Sequence, residues 1–139
     1  AILKIDNNII LTIQCDIQYN IVIKERSTME DLESNFENVN IELRRGLTNL
    51  VVLSQCKQPT YGYELVKSLA DQGFPLEANT VYPLLRRLEK QGLLRSDWDT
   101  STDKPRKYYQ ISPEGNQFFE RLRTQWYENI ATVRKIIEE

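Results

Sequence analysis

Two short runs of polar and basic side chains hold most of the chemistry open to this chain. The first is Asn79, Thr80, Tyr82 and Arg86, inside ANTVYPLLRRLEK; the second is Lys104, Arg106 and Lys107, inside DKPRKYY. Short polar groups at the start of a helix reach base edges or phosphates, and a guanidinium presents a planar fork that matches phosphate. Basic side chains at the tip of a ribbon suit backbone phosphates and read no bases. Tyr61, at the start of the preceding helix, adds a hydroxyl that can donate to a phosphate. The expected partner is double-stranded DNA. Catalytic chemistry is poorly represented. The chain has no histidine, and its two cysteines, Cys15 and Cys56, stand 41 residues apart, so no zinc-ligand spacing exists. There is no phosphate-cradling glycine loop, and no pair among the many carboxylates is distinguished. Neither an enzyme nor a bound metal or cofactor is expected. Two isolated cysteines suit a reducing compartment, and Cys56 is expected to pack as a small apolar residue.

The polar runs need elements to position them. Val81, Leu84, Leu85 and Leu88 recur at helical spacing and form one apolar face, leaving Asn79, Thr80, Tyr82 and Arg86 off it. Asn79 or Thr80 is the expected cap. Pro83 implies a late start or a distorted first turn. Gly92 stands where a helix-terminating glycine belongs. Leu93 to Trp98 and Arg106 to Ile111 read as two strands around a polar turn. The expected fold is mainly α with a small β-wing: a winged helix-turn-helix plus a long C-terminal dimerisation helix. The recognition helix would lie in a major groove, with the wing on neighbouring phosphates.

Net charge of −2 hides an asymmetry. Residues 1–40 carry 3 basic and 7 acidic side chains, residues 41–112 carry 11 and 8, and residues 113–139 carry 4 and 5. The basic excess falls on the recognition helix and wing, although the arrangement of side chains argues more strongly than the charge.

Three segments follow from composition: 1–40, a leader and acidic arm; 41–112, the winged-helix domain; and 113–139, the C-terminal helix. Residues 1–28 are rich in Ile and Asn, with β-prone runs at Ile9–Ile13 and Ile21–Ile23 that predict a strand-like arm if the leader is native. Met29, the only methionine, is the expected natural start, with residues 1–28 outside the native coding sequence. Residues 30–40 predict a short acidic helix or a loose arm. A helix apolar on two sides is expected from Ile41 to about Lys57, stopped by Gln58-Pro59. Thr60 is the expected cap of the next helix, running from Tyr61 to about Asp71 and burying Leu65, Leu69 and Tyr63. Gln72 to Pro75 is the turn into the recognition helix. No apolar run approaches the ~18 residues of a membrane span, so a cytoplasmic protein with no membrane partner is expected.

Ser112-Pro113-Glu114 opens the last helix with a cap, a first-turn proline and an acid. Its apolar residues are Phe119, Leu122, Trp126, Ile130, Val133 and Ile137, a heptad-like stripe on a helix roughly 39 Å long. A stripe that outruns its own domain predicts a helical partner, and a second copy of the chain gives a twofold homodimer. Trp126 on that stripe offers a flat wall to a planar ligand.

Three ordered motifs, Tyr61-Gly62-Tyr63-Glu64-Leu65, Thr80 through Leu94, and Pro105-Arg106-Lys107-Tyr108-Tyr109, resemble the PadR family of bacterial transcriptional regulators. The likeness covers about residues 41–138 and is nearest to the single C-terminal-helix branch, the multidrug-sensing regulators. It implies a dimeric winged-helix repressor on a pseudo-palindromic operator, released by a small aromatic or drug-like ligand at the dimer interface. By the same resemblance, Trp126 flanks the ligand, and Leu50, Leu53, Ser54 and Ile130 line the same pore. That branch has an acidic side chain one turn after the tryptophan. Here the position is Ile130, and Glu128 lies off the stripe, so the branch's preference for cations does not carry over. The competing reading is a winged-helix module that binds protein and not DNA.

Overall fold

The computed structural model describes residues 6–138. The chain divides into two compact units, one up to Gly46 and one from Leu47. The first is a single helix, α1 (Asn7–Arg45), capped by Asp6, whose carboxylate accepts from the Asn8 amide. The expected strand-like arm is therefore a helix, and the acidic stretch 30–40 is part of it. Isoleucine lowers helix propensity by well under 1 kcal/mol per residue, and no Gly or Pro interrupts the run before Gly46. The first five residues of the expected leader lie outside the described residues.

The second unit is a winged helix. Its elements are α2 (Thr48–Gln55), β1 (Thr60–Tyr61), α3 (Gly62–Asp71), α4 (Ala78–Lys90), β2 (Leu94–Asp99), β3 (Arg106–Ile111) and α5 (Pro113–Ile137). The helix expected from Ile41 to Lys57 is not continuous, because α1 ends at Arg45 and α2 begins at Thr48. One core holds the unit together. Val52 and Leu53 of α2 and Cys56 at its C-terminal cap meet Leu65 and Leu69 of α3, the α4 face Val81, Leu84, Leu85 and Leu88, and Phe119 of α5. Tyr63, expected to be buried, is 68% exposed.

Both helices of the helix-turn-helix end in the same way. Gly73 and Gly92 adopt positive φ, 85° and 79°. In each case the amide after the glycine reaches back to a carbonyl of the last turn, Phe74 to Leu69 and Leu93 to Leu88, both at 2.9 Å. This left-handed cap turns the chain sharply, so α3 leads into α4 and α4 into the wing.

Thr60 does not cap α3. It is paired in β1 with Tyr109, and Tyr61 occupies the cap position without a side-chain bond. The three strands run antiparallel in the order β1-β3-β2. Neither Asn79 nor Thr80 caps α4. The cap position is Glu77, and Pro83 is accommodated inside the helix with its ring exposed. The late start of that helix is thus corrected, since α4 begins before both polar residues. Ser112 caps α5 as expected, its hydroxyl accepting from the Gly115 amide at 2.9 Å and donating to the Gly92 carbonyl at 2.6 Å. One serine therefore ties the end of α4 to the start of α5.

Candidate nucleic-acid interface

Burial of one face of α4 dictates what the other face offers. With Val81, Leu84, Leu85 and Leu88 in the core, Asn79, Thr80, Tyr82 and Arg86 are exposed along the outer side. Because neither Asn79 nor Thr80 is used as a cap, both polar side chains lie on the first turn of the helix with that face open.

Tyr82 leans over the start of α3. A Cβ built on Gly62 would stand 2.3 Å from its ring, so only glycine lets the tyrosine lie there. Beside it, Tyr61 meets Tyr108 edge-on at 5.4 Å, and the Arg106 guanidinium stacks on the Tyr61 ring at 4.5 Å. Arg106 is thereby held at the turn end of β3 with its charge exposed. Lys104 is exposed in the turn between β2 and β3. Hydrogen bonds from Ser101 of that turn hold the carboxyl of Asp99, at the end of β2, below its ordinary value.

Lys107 behaves differently. Its ammonium lies 3.1 Å from the Glu89 carboxylate of α4 and 5.2 Å from the centre of the Tyr109 ring. Glu89 also accepts from the Ser96 hydroxyl of β2. The Ser96 hydrogen bond, followed by Lys107, holds Glu89 below the usual carboxylate value, and Glu89 holds Lys107 above its own. Lys107 thus braces the wing against the recognition helix, while Lys104 and Arg106 point their charges outward.

Between α4 and the wing lies an open cleft of about 430 Å³, whose lining includes Tyr61, Tyr82 and Trp98 together with Arg86, Arg106 and Lys107. Trp98 is not among the residues that sequence reasoning singles out. Its signal is the alternation of β2: Leu94 is buried, Ser96 half-buried and Trp98 64% exposed, all on one side of the strand. That side follows the core outward until it overhangs the cleft.

The expected ligand residues are not placed alike. Leu50 and Ser54 of α2 are half-buried, and the Ser54 hydroxyl donates to the Val51 carbonyl at 2.6 Å. Leu53 is wholly buried in the core and offers no surface to a ligand, which corrects that assignment. Trp126 is half-buried, its ring 5.0 Å from that of Tyr127, and Ile130 is 40% exposed. On the C-terminal stripe, Phe119 is only 4% exposed because it anchors α5 to its own domain, so it is not an interface residue. Leu122 is half-buried, whereas Ile130, Val133 and Ile137 are exposed.

Among the described residues, no helix is long and apolar enough to cross a membrane, and no group of three or more His, Cys, Asp or Glu side chains could hold a metal.

The profile of the PadR-like transcriptional regulator family matches residues 50–121, the stretch from α2 to the first turns of α5. The chain is similar to a PadR family transcriptional regulator from Eggerthella lenta DSM 2243. That structure is 50% identical, with a TM-score of 0.74 over 76% of this chain and 95% of the other. A PadR-like regulator from Bacillus cereus is 28% identical, with a TM-score of 0.63 over 70% and 98%. A transcriptional regulator from Mycobacterium tuberculosis is 31% identical over 75 residues, 53% of this chain and 70% of that protein. Members of this family are transcriptional regulators and not enzymes. With its recognition helix, its basic wing and these matches, the chain belongs to the PadR-like family of DNA-binding transcriptional regulators.

Proposed function

We propose that this regulator is a cytoplasmic homodimeric repressor that binds a pseudo-palindromic operator and is released by a small planar aromatic ligand. The observation that carries the DNA reading is the open face of α4, where Asn79, Thr80, Tyr82 and Arg86 stand beside an outward-facing Arg106. Dimerisation is supported by the exposed Ile130, Val133 and Ile137 on the part of α5 beyond Phe119. Two copies joined there would set their recognition helices in successive major grooves, about 34 Å apart. Trp126, with Leu50, Ser54 and Ile130, supplies the aromatic and apolar wall for the ligand. Such a ligand acts only to the extent that it binds the released arrangement better than the DNA-bound one.

The test is fluorescence anisotropy with duplex from the gene's own upstream region, against random duplex, across a salt series. Tight preference for the upstream duplex is expected, falling steeply with salt and at least ten times weaker in Arg86→Ala. Planar aromatic compounds should release wild-type protein and not Trp126→Ala. Equal, weak, salt-insensitive binding to both duplexes would replace this reading with a protein-interaction module.

A further inference from the structure

The cleft between α4 and the wing has more in it than cations. A tryptophan is among the largest apolar side chains, and keeping one 64% exposed leaves much of its ring unburied. Trp98 is not at the distal tip of the hairpin. Its Cα partner across the strands is Lys107, and the side chains of such a pair share one face of the sheet. On that face Ser96 and Lys107 are both fastened to Glu89 of α4. The ring is therefore carried on a part of the wing that is braced to the recognition helix. Tyr82, 41% exposed, lines the same cleft from the helix side, and Arg86 and Arg106 are also among its lining residues.

We propose that Trp98 is a DNA-contacting residue. The slot between its ring and Tyr82 takes one deoxyribose-phosphate unit of the duplex backbone. The sugar's C–H faces pack on the rings, and its phosphate meets Arg86 and Arg106. This deepens the DNA-binding reading above and rests on it. The logic is one of matching surfaces. A backbone unit presents an apolar sugar edge next to a charged phosphate. A slot with aromatic walls and a guanidinium rim satisfies both, whereas a purely basic patch satisfies only the phosphate. The contact fixes where the helix sits on the duplex and carries no sequence information itself.

The experiment combines binding and ¹⁹F NMR on full-length protein with 5-fluorotryptophan at Trp98 and Trp126, the two signals being assigned with Trp98→Phe. Wild type should show the Trp98 resonance shifting on addition of duplex. Trp98→Ala should weaken upstream and random duplex alike, roughly five- to tenfold, with an unchanged salt slope, because no charge is removed. Trp98→Phe should recover part of that affinity. Arg106→Ala, in contrast, should lower the slope by about 0.9 for each phosphate that is no longer neutralised.

If Trp98→Ala fails to fold, the resonance shift in wild type still decides. A Trp98 signal unmoved by saturating duplex overturns the proposal while leaving the DNA reading intact. A loss confined to the upstream duplex also overturns it, in favour of a base contact. A shift produced equally by free deoxynucleoside monophosphate overturns it in favour of a small-molecule site. Failure of wild type to bind any duplex removes the DNA-binding reading and this one together.

Discussion

The Lys107 ammonium sits 3.1 Å from the Glu89 carboxylate, so a basic residue of the wing is bonded to the recognition helix. With Ser96 on the same carboxylate, both strands of the wing are tied to one turn of α4. The wing and helix should consequently approach DNA as one rigid surface, with Lys107 positioning that surface and Arg106 and Lys104 touching phosphate.

Replacing Glu89 separates these roles. Glu89→Gln should leave stability within about 1 kcal/mol, because the pair is partly exposed. It should steepen the salt dependence of DNA binding by up to about 0.9 per phosphate newly met by the freed Lys107. Lys107→Ala should leave the slope almost unchanged. A Lys107→Ala slope lowered as much as that of Arg106→Ala would show that Lys107 already touches phosphate in the complex. The pH dependence follows from the shifts. Glu89 is held below its ordinary 4.5, so its contribution is present above that value and is lost as pH falls through the lower folded value. Lys107 is held above 10.5, so its contribution is present below that value and is lost as pH rises past the higher folded value. The brace is intact through the neutral range, and the salt slope should not change between about pH 6 and pH 9.

Two buried glycines should respond unequally to alanine. At Gly62 the obstacle is the Tyr82 ring, the end of a side chain that is 41% exposed and can swing out. Gly62→Ala should cost about 1 kcal/mol of stability yet weaken DNA binding several-fold, by displacing Tyr82. At Gly115 the obstacle is backbone, with the Leu93 carbonyl oxygen 2.0 Å from the added carbon. Neither Leu93 nor the capped start of α5 can yield cheaply, so Gly115→Ala should cost about 3 kcal/mol or more. Denaturant melts with parallel anisotropy check both, and equal stability losses would contradict the contrast.

The difference between what the sequence could show and what it hid lies in how local each feature is. The α4 face, the glycine that ends α4 and the Ser112 cap are set by neighbours within a few residues, and each is where its pattern implies. Three-dimensional partners are not legible in the same way. Nothing near Lys107 in the chain announces Glu89, 18 positions earlier, so the lysine reads as another phosphate ligand. Leu53 sits on a helix apolar over a wide arc, and spacing alone does not say which side meets its own core. The Ile-rich leader misleads for a different reason. β-propensity reports packing on a pleated surface as much as backbone preference, and with no partner strand among the described residues the run is helical.

Cys56 makes the stability of the winged unit pH-dependent on the alkaline side. Burial pushes its thiol from 9.0 up to about 12, since the thiolate would have to form inside the core. The folded value is the higher one, so this contribution is complete below pH 9 and declines as pH rises from there towards the folded value. Between those limits the unfolded chain ionises and the folded one does not, a loss approaching 1.4 kcal/mol per pH unit. Cys56→Ala should be about 1 kcal/mol less stable at pH 7 and should lose less stability than wild type between pH 9 and pH 11. Denaturant melts at the two pH values measure this, and parallel declines in the two proteins would place the alkaline sensitivity elsewhere.

The outer half of α5 gives the test of assembly. Phe119 is spent on the core of its own domain, while Ile130, Val133 and Ile137 are 40%, 49% and 73% exposed at spacings of three and four. Charging this stretch should not unfold the winged unit, whose core contains none of the three. Ile130→Glu combined with Val133→Glu should convert a dimer to a monomer in analytical ultracentrifugation, while the thermal transition remains cooperative. Each copy would then meet one half-site alone. The advantage of linking two binding events, typically 10²- to 10⁴-fold, would vanish for an operator with two half-sites and matter little for a single half-site. Wild type should accordingly prefer the paired operator by that factor, and the charged variant should bind both duplexes about equally. A variant that stays dimeric, or a wild type that is monomeric at the concentrations that bind DNA, would rule out this seam as the basis of twofold recognition.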